Sequence, residues 1–117
     1  AELLVESGVF SGKREEIPLD GCTNVFDYDK ITQDLCCRTR EAGDQITLPG
    51  GTKKLKSFFI DEKIPADERG SISLIACGRD IVWIYGGRTS AKFAPDAQTT
   101  QYVWIRITEV HHNERKN

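Results

Sequence analysis

Residues 48–69 read LPGGTKKLKSFFIDEKIPADER and hold the clearest helix pattern in the chain. Leu55, Phe58, Phe59 and Glu62 recur at helical spacing on one side, with Lys53, Lys56 and Ile60 opposite. Thr52 suits the N-cap, because its hydroxyl can accept from a first-turn N–H. Pro65 cannot continue a helix. The spacing therefore predicts a helix over residues 53–63, with one further turn at Asp67 and Glu68.

Short extended segments lie on both sides of this helix. Upstream, residues 45–48 read as a strand, and residues 41–44 as a turn containing Gly43. Residues 35–40 are extended and alternate, with Cys36, Arg38 and Arg40 on one face and Leu35, Cys37 and Thr39 on the other. Residues 24–28 form another strand ending in a turn at Asp29 and Lys30, and short apolar pieces at 3–5 and 9–10 surround Ser7 and Gly8. Downstream, residues 73–76 and 81–85 read as a hairpin joined through residues 77–80 and broken by Gly86 and Gly87. Residues 101–110 are the last strand, with Val103, Ile105 and Ile107 inward and Trp104 on the outer side; Trp83 belongs to the core. The tail, residues 111–117, is expected to fray. Many short strands around one helix give an α+β domain.

The 117 residues suit a single domain, with 38% apolar and 29% charged residues and a net charge of −2. That apolar content excludes a disordered chain. No apolar run reaches the length of a membrane span, and the acidic start lacks signal-peptide order. The chain contains no Met, so it reads as processed or as a piece of a longer protein. Cys22, Cys36, Cys37 and Cys77 have neither the paired spacing of a zinc site nor a disulfide framework. They are expected to be buried or half-buried free thiols in a reducing, cytoplasmic compartment, with no metal bound.

Catalytic patterns are missing. There is no glycine-rich phosphate loop, no GxSxG and no HExxH. Asp61 and Glu62 are neighbours on a helix, pointing about 100° apart, and cannot share a proton. Arg38 does not flank both Cys36 and Cys37, so a reactive thiol pair is not indicated. His111 and His112 sit in the tail.

The charge distribution is uneven. Residues 1–37 carry eight acids against three bases, whereas residues 38–92 carry ten bases against seven acids. Within that basic middle, Lys53, Lys54 and Lys56 fall where a helix start would favour acids, at a cost of roughly 0.3–1 kcal/mol each. The same position suits phosphate, with backbone N–H groups of Gly50, Gly51 and Thr52 alongside. A solvated cationic face accounts for the lysines equally well. Arg38, Arg40 and Arg88 add guanidinium forks, and a single patch would put them on the lysines' side.

Several motifs then occur in order: FDYDK (26–30), RTREAGD (38–44), LPGGTKKLKSFFIDEKIPADER (48–69), DIVWIYGGRTS (80–90) and Thr99-Thr100. Together, over about residues 25–109, they resemble the C-terminal domain of bacterial tRNA(Ile)-lysidine synthetases. Residues 1–24 read as a variable lead-in. The resemblance implies a small three-layer α+β domain with a β-sandwich of short, mostly antiparallel strands. It also implies the distal, acceptor-stem-binding part of a ligase that joins lysine to the wobble cytidine of an isoleucine tRNA. ATP and Mg belong to that ligase's N-terminal catalytic domain, so no cofactor is expected here and no catalytic residue is assigned. RNA contacts are then expected from Arg38, Arg40, Gly50, Gly51, Lys53, Lys54, Lys56, Lys63 and Arg88. The alternative is a protein-docking or dimerisation module with no RNA contact, and a homodimer is left open.

Overall fold

The chain forms β1 (Glu2–Ser11), β2 (Thr23–Asp27), β3 (Leu35–Arg38), β4 (Gln45–Leu48), β5 (Gly51–Lys54), α1 (Leu55–Asp61), β6 (Leu74–Cys77), β7 (Asp80–Ile84) and β8 (Gln101–Val110). Short 3-10 turns occupy Tyr28–Lys30 and Ala91–Phe93. This is a computed structural model, and it describes residues 2–12 and 21–110. The architecture is α+β, as expected, with one α-helix among the described residues, a mixed five-stranded sheet and an antiparallel three-stranded one. The chain divides into two compact units, residues 29–94 and residues 1–28 with 95–117. Among the described residues, no helix is long and apolar enough to cross a membrane.

In the 29–94 unit, five strands run in the order β3-β6-β7-β4-β5. All pairings are antiparallel except β4 with β7, which meet in parallel at Gln45 and Asp80. The β6–β7 hairpin turns through Gly78 and Arg79 alone, and Gly78 has φ 63°. A two-residue hairpin turn needs that left-handed φ at its first position, which glycine adopts without strain. Leu55, Phe58 and Phe59 of α1 pack on Ile46, Leu74, Ala76, Ile81 and Ile84. Each of these leucine, isoleucine and phenylalanine side chains contributes about 1.5–3 kcal/mol by leaving water. The remaining helix face is solvated, and Ile60 is half exposed.

The helix differs from its expected extent at both ends. Lys53 and Lys54 lie on β5, and Thr52 is no cap: its hydroxyl meets that of Thr47 across the β4–β5 hairpin, 2.8 Å away. Cross-strand pairing of residues 45–48 with 51–54 claims the lysines before the helix begins. At the other end, α1 stops ahead of Pro65, because Lys63 turns left-handed at φ 60°. Its N–H donates to the Ile60 carbonyl at 3.0 Å, and the Ile64 N–H to that of Phe59 at 3.0 Å. This paired closure satisfies two terminal carbonyls.

The second unit holds a three-stranded antiparallel sheet in the order β1-β8-β2. Residues 2–11 of the lead-in form a full strand: β1 pairs with β8 from Glu2 opposite Val110 to Ser11 opposite Gln101. Val103, Ile105 and Ile107 are buried as expected, and so is Tyr102, with Phe10 stacked on its ring at 5.0 Å. Trp104 is half-buried rather than exposed. Its indole covers Gly8 on β1, where an added Cβ would sit 2.7 Å from Nε1, and the Arg106 guanidinium lies 5.7 Å from its ring. Trp83 is core, 4% exposed. Residues 111–117, including His111 and His112, lie outside the described residues.

Candidate functional site

Within the basic middle of the chain, Asp44 draws in Arg38 and the charge of Arg79. The aspartate ends the turn after β3 and is 4% exposed. A buried carboxylate must find donors, and Arg38 supplies two, Nη1 to Oδ2 and Nη2 to Oδ1, each at 2.8 Å. The Glu41 N–H adds a third at 2.8 Å. Burial alone pushes the Asp44 pKa up. The Arg38 and Glu41 hydrogen bonds, with the charges of Arg38 and Arg79, outweigh that and hold it below its ordinary value. The Asp44 carbonyl accepts the first helical N–H, that of Leu55, at 2.9 Å. One residue therefore ties the 39–43 loop to the start of α1.

That tie encloses a cleft of about 450 Å³, lined by Arg40, Glu41, Ala42, Gly43, Asp44, Lys54, Leu55 and Lys56. Two segments supply its cations: Arg40 from the loop, and Lys54 and Lys56 from the β5–α1 junction. The side chains of these three make no hydrogen bond or ion pair with the described residues. Of the other cations in the 29–94 unit, Lys63 and Arg88 are likewise without a side-chain partner among the described residues but do not line this cleft, and the rest are engaged. Lys53 pairs with Asp61, Lys92 with Asp80 at 2.7 Å, and Arg79 donates to the Ala42 carbonyl at 2.6 Å. Arg69 donates to the Ile64 carbonyl and Lys30 to that of Ala94, both at 2.8 Å. The arrangement can bind a polyanion by charge, with Arg40 offering a planar fork and the lysines mobile point charges.

The other expected contacts are placed elsewhere. Arg38 is a structural partner of Asp44, and β3 ends at Arg38, so Arg40 follows the strand instead of sharing its face. Gly50 lies in the β4–β5 turn and Gly51 opens β5, at the far end of that hairpin from Lys54, about 10 Å along the strand. They do not form a helix N-terminus, and neither does Lys53. Lys63 closes α1. Arg88 is exposed beside a separate hollow of about 250 Å³, among Phe58, Ile64, Ile72 and Tyr85. Of the expected contacts, Arg40, Lys54 and Lys56 are the cations that line one cleft. Sequence reasoning missed Arg79 and Gly43. Gly43 has φ 89°, and a Cβ there would collide with the Arg79 guanidinium. A glycine in RTREAGD followed by an arginine in a two-residue turn was the available signal.

The thiols also differ from expectation: Cys22, Cys36 and Cys37 are exposed and only Cys77 is buried. Edge strand β3 presents Cys36 and Cys37, and the Cys37 thiol is pushed up by burial and then by Cys36. Among the described residues, no three His, Cys, Asp or Glu side chains converge to hold a metal ion.

Comparisons with known proteins agree with this architecture. A tRNA(Ile)-lysidine synthase from Caldanaerobacter subterraneus is 50% identical over 86 residues, 72% of this chain and 18% of the relative. One from Clostridium tetani is 42% identical over 97 residues, 81% of this chain and 21% of the relative. The chain thus spans about a fifth of the length of these relatives. A solved structure described as the crystal structure of the TILS C-terminal domain superposes with a TM-score of 0.68 at 28% identity. It covers 94% of this chain and 86% of the solved one. The model of the TilS substrate C-terminal domain family matches residues 35–106, spanning β3 to the middle of β8, and the chain belongs to that family.

Proposed function

We propose that this chain is a tRNA-docking domain whose cleft between the 39–43 loop and the start of α1 grips backbone phosphates of an isoleucine tRNA acceptor stem. The observation that carries this reading is the set of three uncommitted cations, Arg40, Lys54 and Lys56, that line one cleft, while Lys53 beside them pairs with Asp61 and Arg79 donates to the Ala42 carbonyl. An A-form stem suits such a site, since its deep major groove is closed to side chains and recognition rests on phosphates and shape. The bond-forming chemistry belongs to a separate N-terminal catalytic domain, which uses ATP and Mg to join lysine to the wobble cytidine in the cytoplasm. This chain supplies affinity and register, with no cofactor of its own.

The experiment is a fluorescence titration of an RNA hairpin carrying the acceptor-stem duplex, repeated from 50 to 200 mM salt. Wild-type binding should weaken steeply with salt, and each of Arg40→Ala, Lys54→Ala and Lys56→Ala should flatten the log–log slope by about 0.7–0.9. Slopes unchanged in all three variants would remove the cleft from the reading. A second reading, protein docking, rests on β1, an edge strand that leaves Leu4 48% and Val9 54% exposed. Association through that strand would be nearly indifferent to salt.

A further inference from the structure

Resting on the RNA-docking reading, we propose that Arg38, Asp44 and Arg79 form a strut that holds the 39–43 loop in its binding shape, so that Arg40 meets phosphate without the loop having to order first. Arg38 is then a positioning residue, although RTREAGD presents it as the twin of Arg40.

The guanidinium of Arg38 is fully engaged. Beyond its fork on Asp44, Nη2 donates to the Gly78 carbonyl at 2.9 Å and Nη1 to the Thr39 carbonyl at 3.0 Å, while Nε lies 3.8 Å from Glu41. Its side chain is 15% exposed. A guanidinium with both terminal nitrogens committed has no second fork for a phosphate. Its contacts reach both ends of the loop and cross to the β6–β7 turn. From that turn Arg79 returns the link, donating to Ala42 at 2.6 Å, while its own carbonyl accepts the Gln45 N–H at 2.9 Å. The loop is thus fastened at residues 39, 41, 42 and 44, and Arg40 is its cation, with a side chain left uncommitted. Ordering a loop during binding subtracts from affinity, and fastening it during folding removes that cost.

The test is a set of double-mutant cycles on the 117-residue chain with the same RNA hairpin, each variant first checked for folding by thermal melt. Arg40→Ala should weaken binding roughly 5- to 10-fold. Arg38→Lys keeps the charge but loses the fork, and should weaken binding by a similar factor. The double variant should lose no more than about twofold beyond either single one, because both act through Arg40. Gly43→Ala leaves the charge unchanged and evicts the Arg79 guanidinium, so it should show the same coupling and serves if Arg38→Lys fails to fold. Asp44→Asn removes a negative charge beside the cleft, yet should weaken binding. Losses that multiply in both cycles, or tighter binding by Asp44→Asn, would overturn the strut and leave the docking reading standing. If Arg40→Ala, Lys54→Ala and Lys56→Ala all bind as wild type, the docking reading itself falls.

Discussion

Asp44 shows how one buried charge can set both stability and shape. Its pKa is depressed in the folded state, chiefly by Arg38 working against burial, and that of Asp80 by Lys92 and Gln45 against the same cost. A depressed carboxylate stabilises the fold above its unfolded pKa of about 3.9 and loses that contribution as pH falls through the folded value. Urea midpoints should therefore be flat from pH 7 to about 5 and fall below about pH 4, more steeply in wild type than in Asp44→Asn. Equal acid sensitivity in the two proteins would refute this role. Lys63 is the opposite case, a strained residue at φ 60° that forms no part of the cleft. Lys63→Gly relieves a left-handed conformation costing about 1–2 kcal/mol, offset in part by the freer unfolded chain. A net gain of about 0.5–1 kcal/mol should appear in chemical denaturation. A loss would mean that its side chain makes a contact worth more than the strain.

At the scale of elements, periodicity made the strands and the helix face legible. Residues 45–48 and 101–110 have the extents that alternation gives, and Leu55, Phe58 and Phe59 are the buried face of α1. The helix start was hidden because Thr52, Lys53 and Lys54 suit a cap and first turn locally, whereas pairing with β4 decides their conformation. For Lys53 the stability argument built on lysines at a helix start reverses accordingly, while Lys54 caps α1 and Lys56 stays in its first turn. Lys53→Glu would not relieve a helix dipole but would place an acid beside Asp61, replacing a surface ion pair by repulsion. The expected change is a loss of about 0.2–1 kcal/mol, checked by the same denaturation. Strand β1 was illegible for another reason. Gly8 interrupts its apolar pattern, and its role is to accept the Trp104 indole from the neighbouring strand, a partner nearly a hundred residues away. Gly8→Ala should displace that indole and shift the tryptophan emission spectrum, while an unmoved spectrum would show that the sheet can adjust around a Cβ.

At the scale of the whole molecule, the sequence located the basic middle of the chain but not which cations remain available. Spacing counts Arg38 and Arg40 alike, whereas folding spends one on a buried carboxylate and leaves the other at the cleft. Commitment of a charge depends on partners brought from distant strands, as Arg79 is brought to Ala42, and no local pattern encodes it. The most direct measurement is an NMR titration of the isotopically labelled chain with the acceptor-stem hairpin at low salt. The account predicts amide shifts concentrated at residues 39–44 and 54–56, vanishing as salt is raised, with Leu4, Val5 and Val9 of β1 unmoved. Shifts centred on β1 and persisting at high salt would contradict it.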